Sequence, residues 1–166
     1  MQAKMNAVMQ AIKGLYNPMP LVLDPFKVVG YGKPAVLELG ENVTYASLEI
    51  ITNLPADRIS RISLMKGGRE FSGWPATLFH VRDRYLKNTV DNTQTRIFLD
   101  FADENLRTTT SIRRGELVIG NGEKFTLKLQ IESKQEGDPE QIELECHARE
   151  LPAQGAMLKR SCTAIH

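Results

Sequence analysis

From Phe125 to Ile131 the chain alternates strictly, with Phe125, Leu127, Leu129 and Ile131 apolar and Thr126, Lys128 and Gln130 polar between them. A period of two marks a strand with one face buried and the other in water, so the four apolar residues are expected to point into a core. Ile97, Leu99 and Phe101 repeat the alternation in the strand that opens at Arg96, and Phe98 on its other face indicates cover on both sides. Between these two strands lies a polar excursion of about twenty residues, too long for a hairpin, which favours Greek-key wiring over a meander.

Shorter patterns fill in the rest. Strands are predicted at Ala35 to Leu39, at Thr44 to Ile51 with Ala46, Leu48 and Ile50 on one face, and at Ile59 to Met65. Lys66-Gly67-Gly68-Arg69 supplies the positive φ angles of a tight hairpin into a short strand ending near Phe71. Trp74-Pro75 is expected to open a helix running to Lys87, with a broad apolar face of Leu78, Phe79, Val81, Tyr85 and Leu86. Asn88 to Thr95 reads as a polar loop and Leu106 to Thr110 as a short strand, while Ile112 to Ile119 fits either a helical turn or a strand. The Gly120-Asn121-Gly122 turn, a turn at Glu136 to Pro139, and a last strand from Gln141 to Arg149 with Ile142, Leu144, Cys146 and Ala148 inward complete the pattern. Seven or eight short strands at this spacing predict a β-sandwich or jelly roll.

Ahead of the strands, Met5, Val8, Met9 and Ile12 recur at helical spacing, and Gly14 and Pro18 end the run. This predicts an amphipathic helix over Met1 to Leu15 whose methionine-lined stripe docks on a protein neighbour in preference to lipid. Asn17 to Pro34, rich in proline and glycine, reads as an extended arm that packs by its side chains. The expected organisation is a helix and arm over residues 1–34, a barrel over 35–150 and a tail over 151–166, with the arm acting outside its own barrel.

Composition narrows the function. A net charge of +1 gives no global attraction to nucleic acid or acidic membrane, and 42% apolar residues suffice for one core. No stretch is long and apolar enough to span a membrane, and no secretory signal is evident. Cys146 falls at an inward strand position and Cys162 in the tail, as expected of a reduced protein made inside a cell. His80, His147 and His166 have no ligand spacing, so neither a metal nor a cofactor is expected. Ser47, Ser111 and Cys162 lack the signature of a nucleophile with its base. Gly30-Tyr31-Gly32 and Gly120-Asn121-Gly122 resemble phosphate loops only superficially, since neither opens a helix after a strand. Asp100, Asp103 and Glu104 fit a solvated strand end. Arg113-Arg114 and Lys159-Arg160 lack the flanking aromatics of a nucleic-acid site, so no specific nucleic-acid partner is expected. An enzyme is not indicated. A domain with a core, an apolar arm and no site reads as a building block that contacts copies of itself.

The order of elements resembles one barrel, the N-terminal one, of the double jelly-roll major capsid proteins of icosahedral bacteriophages with an internal membrane, the corticovirus and tectivirus lineage. The resemblance runs from Ala35 to Arg149. It is carried by the strand Ala35 to Gly40 leading straight into Thr44 to Ile50, the basic-glycine hairpin Ile59 to Phe71, the helix after it, the aromatic and acidic stretch Phe101 to Thr108, and the Phe125 and Ile142 strands. It implies an all-β chain: a single eight-stranded antiparallel jelly roll of the viral capsid type, with an N-terminal amphipathic helix and one inserted helix. It further implies a structural protein of the virion capsid, made in the host cytoplasm and assembling with other capsid subunits into a trimeric capsomer. On that reading the N-terminal segment, with Met5, Val8, Met9 and Ile12 as its assembly interface, points toward the internal membrane, a minor capsid protein or a neighbouring capsomer. The family's usual chain carries a second barrel and is about twice as long, whereas here only a tail follows the first. The alternative is a carbohydrate- or receptor-binding jelly roll of the spike or tail type, which would present exposed aromatics on loops. The one tryptophan, Trp74, adjoins a helix start instead.

Overall fold

Phe125, Leu127, Leu129 and Ile131 are all buried, and the polar residues between them are half-buried, in a computed structural model that describes residues 18–85, 95–102 and 115–151. Nine strands occur among the described residues: β1 (Met19–Val22), β2 (Pro34–Glu38), β3 (Val43–Thr52), β4 (Ile59–Lys66), β5 (Arg69–Pro75), β6 (Thr95–Asp100), β7 (Leu117–Ile119), β8 (Phe125–Ile131) and β9 (Leu144–Leu151). One helix, α1 (Ala76–Tyr85), lies between β5 and β6.

The strands form two antiparallel sheets, one ordered β1-β9-β3-β6 with β7 also paired to β3, the other β2-β8-β4-β5. The chain changes sheet at nearly every connection, staying put only at the β4–β5 hairpin and between β6 and β7. This is jelly-roll winding. It also separates β6 from β8, which stand in opposite sheets, as the long excursion between them requires. Leu127 sits in register between Leu37 of β2 and Leu64 of β4, and Ile50 between Ile97 of β6 and Cys146 of β9. These rows from the two inner faces form a single core. Each such side chain removed from water contributes about 1.5–3 kcal/mol, which makes this layer the main source of stability. The β4–β5 turn has Gly67 at φ 56° and Gly68 at φ 81°, the two left-handed residues that a two-residue hairpin needs.

Several expectations are corrected. Residues 19–22 do not belong to an arm packed only through side chains: β1 pairs with β9 from Met19↔Glu150 to Val22↔His147, and Phe26 enters the core. This half of the segment therefore belongs to its own sandwich. Ala46 does not share a face with Leu48 and Ile50. The β3–β9 register shifts between Tyr45 and Ser47, so Tyr45 takes the inward place and Ala46 packs with Ala102 and Leu151 instead. β5 runs past Phe71 through Trp74 and Pro75, and the helix starts only at Ala76. On α1, Ala76 and Phe79 face the core while Leu78 and Val81 are exposed, so the apolar face is narrow. β9 begins at Leu144, after Ile142 has already packed against the core. The β7 segment resolves the ambiguity at Leu117 to Ile119 in favour of a strand. The helix over Met1 to Leu15, the Asn88 loop up to residue 94, the Leu106 to Thr110 strand and the tail after Leu151 lie outside the described residues.

Three of the sheet edges, those of β1, β2 and β6, are partly blocked by separate devices. Leu23 N–H donates to the Cys146 carbonyl at 2.9 Å, which fixes the phase of the ladder: Met19 and Leu21 turn their backbone groups toward β9, and Pro20 and Val22 turn theirs outward. Proline has no N–H to leave bare there. Lys27 bridges to Val36 through two backbone bonds of 2.7 and 3.0 Å and covers part of the outer edge of β2. At the other side, Arg82 of α1 donates to the Phe98 carbonyl at 2.8 Å and to Asp100 Oδ2 at 3.0 Å, capping β6.

Candidate functional site

Among the described residues, those that looked chemically competent are dispersed or engaged in structure; Asp103, Glu104, Ser111, Arg113, Arg114, Lys159, Arg160, Cys162 and His166 lie outside the described residues. His80 lies in α1, while His147 lies in β9 with Glu145 Oε2 at 3.4 Å. Ser47 is in register with Asp100 and Arg149 on the outer face of its sheet. Cys146 is buried, and burial pushes its thiol up to about 12, so it behaves as a small core hydrophobe and not as a nucleophile. Asp100 is ion-paired with Arg82. Among the described residues no group of histidine, cysteine, aspartate and glutamate is placed to hold a metal ion.

Both glycine pairs are turns, and the amides of Gly32, Gly120 and Gly122 are already occupied. Gly120 N–H donates to Glu123 Oε2 at 3.0 Å and Gly122 N–H to Glu41 Oε2 at 3.1 Å, so carboxylates fill the place an anion would need. Gly32 N–H donates to the Glu132 carbonyl, and the Tyr31 hydroxyl to the Pro139 carbonyl at 2.7 Å. Trp74 packs edge-on against Phe79 at 6.0 Å and joins the core margin, so it is not a sugar-stacking platform on a loop.

One end of the sandwich is built as a rigid clamp. Arg58 donates Nε to Asp138 Oδ2 at 2.7 Å, Nη1 to Asp57 Oδ2 at 2.9 Å and Nη2 to Gln135 Oε1 at 2.5 Å. Asn53 exchanges bonds with the Gln141 carbonyl and the Glu143 N–H, and Thr52 Oγ1 donates to the Glu143 carbonyl. The β8–β9 connection is thereby held against the β3–β4 turn. Asp138 has its carboxyl held below the usual range, first by the Gln135 N–H and then by Arg58.

What the molecule does offer is surface. The exposed large hydrophobics gather on the open sides of the sandwich: Met19, Leu21, Val22, Val28 and Val29 along the β1/β2 side, Phe71, Leu78 and Val81 along the β5/β6 side. Beside Leu78 lies a shallow cavity of about 200 Å³ lined by Trp74, Phe79, Arg82, Leu99 and Phe101. No local pattern marked Leu78 and Val81 as outside, because a helix's apolar residues are assigned to the core by default. The expected interface residues Met5, Val8, Met9 and Ile12 lie outside the described residues.

Residues 20–151 match the family described as viral coat protein P2 N-terminal domain, a span that opens inside β1 and closes at the end of β9. The fold is similar to that of the major capsid protein P2 of bacteriophage PM2, with a TM-score of 0.67 at 15% identity, covering 82% of this chain and 51% of that one. It is also similar to PBCV-1 VP54 fitted into a reconstruction of the virophage Sputnik (TM-score 0.56, 14% identity, 89% of this chain and 44% of that one). The PBCV-1 virus capsid gives a TM-score of 0.53 at 11% identity with the same coverage. The chain therefore spans about half the length of the capsid proteins it resembles. No curated protein sequence matches the chain.

Proposed function

The chain belongs to the viral coat protein P2 N-terminal domain family, and we propose that it is a shell-building subunit, its jelly roll packing beside other subunits to form capsomers of an icosahedral capsid. The role is structural and not enzymatic. The observation that carries it is the family match, which takes in the whole two-sheet sandwich from β1 to β9.

Two finer features belong to the same reading. The capsomer is trimeric, the usual arrangement for the lineage it resembles. The stripe Met5, Val8, Met9 and Ile12 is the contact through which the N-terminal segment reaches a neighbouring subunit, a minor capsid protein or the internal membrane, because a helix of about fifteen residues is marginal in water unless its apolar side is buried. Size-exclusion chromatography with light scattering tests the proposal. Discrete oligomers that grow with concentration are expected, and a chain that stays monomeric while binding sugars would favour the receptor-binding alternative.

A further inference from the structure

Asn121 is the one asparagine of the chain that glycine follows. The pair is labile by its chemistry, because glycine has no side chain to keep its backbone nitrogen away from the amide carbon of the asparagine before it. Both residues are exposed in the turn between β7 and β8, with Gly122 at φ 75° and open space where a side chain would stand. A succinimide ring closing there meets no obstacle.

Yet both reacting groups are held by the neighbouring β2–β3 turn. Gly122 N–H donates to Glu41 Oε2 at 3.1 Å, and Asn42 Nδ2 donates to Asn121 Oδ1 at 3.5 Å. Asn42 does so from a left-handed backbone, φ 56°, which asparagine tolerates better than most residues. The Glu41 contact opposes ring closure in two ways: accepting the hydrogen bond favours the protonated nitrogen, and a carboxylate beside it disfavours the charge that the nitrogen gains as its proton leaves. The other shoulder of the turn is fixed as well, by Gly120 N–H on Glu123 Oε2 at 3.0 Å and by Glu123 paired with Lys66.

We propose that Asn121 is a latent deamidation site guarded by the β2–β3 turn, so that parting the two turns starts a one-way change of charge. Once released from Glu41, the Gly122 nitrogen forms a bond to Asn121 Cγ while the Cγ–Nδ2 bond breaks. The proton of Gly122 ends on the departing nitrogen, which leaves as ammonia. Water then opens the ring at either carbonyl and leaves aspartate or isoaspartate at position 121. Nothing is oxidised or reduced: an amide and water give an acid and ammonia. The new carboxylate stands beside Glu41 and Glu123, and like charges then oppose re-closure of the clasp. Both turns cross from one sheet to the other, so the latch lies on two inter-sheet connections at once.

The test follows the full chain in neutral buffer by peptide mapping with mass spectrometry, which reads aspartate and isoaspartate at position 121. The same chain unfolded in urea sets the unguarded rate. Folded wild type is expected to convert about tenfold more slowly than that, Glu41→Ala to approach the unguarded rate, and Glu41→Gln, which keeps an acceptor without the charge, to fall between. Circular dichroism checks that the variants fold, and Asn42→Gly, which suits the left-handed backbone, removes the second contact and should also quicken conversion. A chain converted in urea and then refolded should exchange its Gly122 amide hydrogen faster than the unconverted chain. Folded Glu41→Ala that converts no faster than wild type overturns the guard. An unfolded chain in which Asn121 converts no faster than the other asparagines overturns the site, and unaltered exchange at Gly122 after conversion overturns the latch.

Discussion

Arg58 Nε lies 2.7 Å from Asp138 Oδ2, with both side chains almost withdrawn from solvent, and this contact joins the start of β4 to the long connection between β8 and β9. Because Gln135 N–H and Arg58 both favour the ionised carboxylate, the native Asp138 titrates below the ordinary aspartate value of 3.8. A lowered native value means stability that is fully present above about pH 4 and is lost as pH falls through the native value. Asp138→Asn is therefore expected to be less stable than wild type at neutral pH, with the gap narrowing on acidification below about pH 4. Thermal melts across pH 2 to 7, with that range taken as about the titration window of a carboxyl, check this; melting curves that stay parallel throughout would show that the clamp does not depend on the charge.

Leu127 occupies the middle of the β8 row, flanked in register by Leu37 and Leu64, all of them buried. Leu127→Ala should cost roughly 2 to 5 kcal/mol in urea unfolding, the transfer term plus the cavity left behind. A change near zero would place Leu127 on the wrong face.

Val28 offers a prediction of opposite sign. Val28→Asn removes a β-branched side chain from a left-handed backbone and uncovers nothing, so the isolated chain should gain about 0.5–1 kcal/mol. Loss of monomer stability on this substitution would mean that Val28 packs inside its own chain.

The alternation in β8 and β6 was legible because each strand has one dry face, and the paired glycines named the β4–β5 turn outright. β1 was not legible: Met19-Pro20-Leu21-Val22 is four apolar residues at a sheet edge, all exposed, with no polar alternation and with prolines that read as arm. The bulge at Ala46 was hidden for a different reason, since one extra residue leaves the sequence pattern looking regular while it moves Tyr45 inward. Which apolar residues stay outside, Leu78 and Val81 above all, depends on how far α1 rolls against β4, β5 and β6, and no local pattern encodes that.

The N-terminal stripe can be separated from the sandwich by truncation. Deleting Met1 to Gly14 is expected to leave the melting temperature of the monomer nearly unchanged and to impair assembly, because β1 and Phe26 already complete the core without it. A truncated chain that fails to fold, yet assembles normally once refolded under mild conditions, would assign Met5, Val8, Met9 and Ile12 to the chain's own core.

The most direct test of the coat role is the copy number of this chain in purified particles of the virus that encodes it, measured by quantitative mass spectrometry against a known internal structural protein. A shell-building subunit must be among the most abundant chains of the particle, in numbers that tile the whole lattice. Absence from the particle, or the few copies that a vertex spike would contribute, would contradict the account.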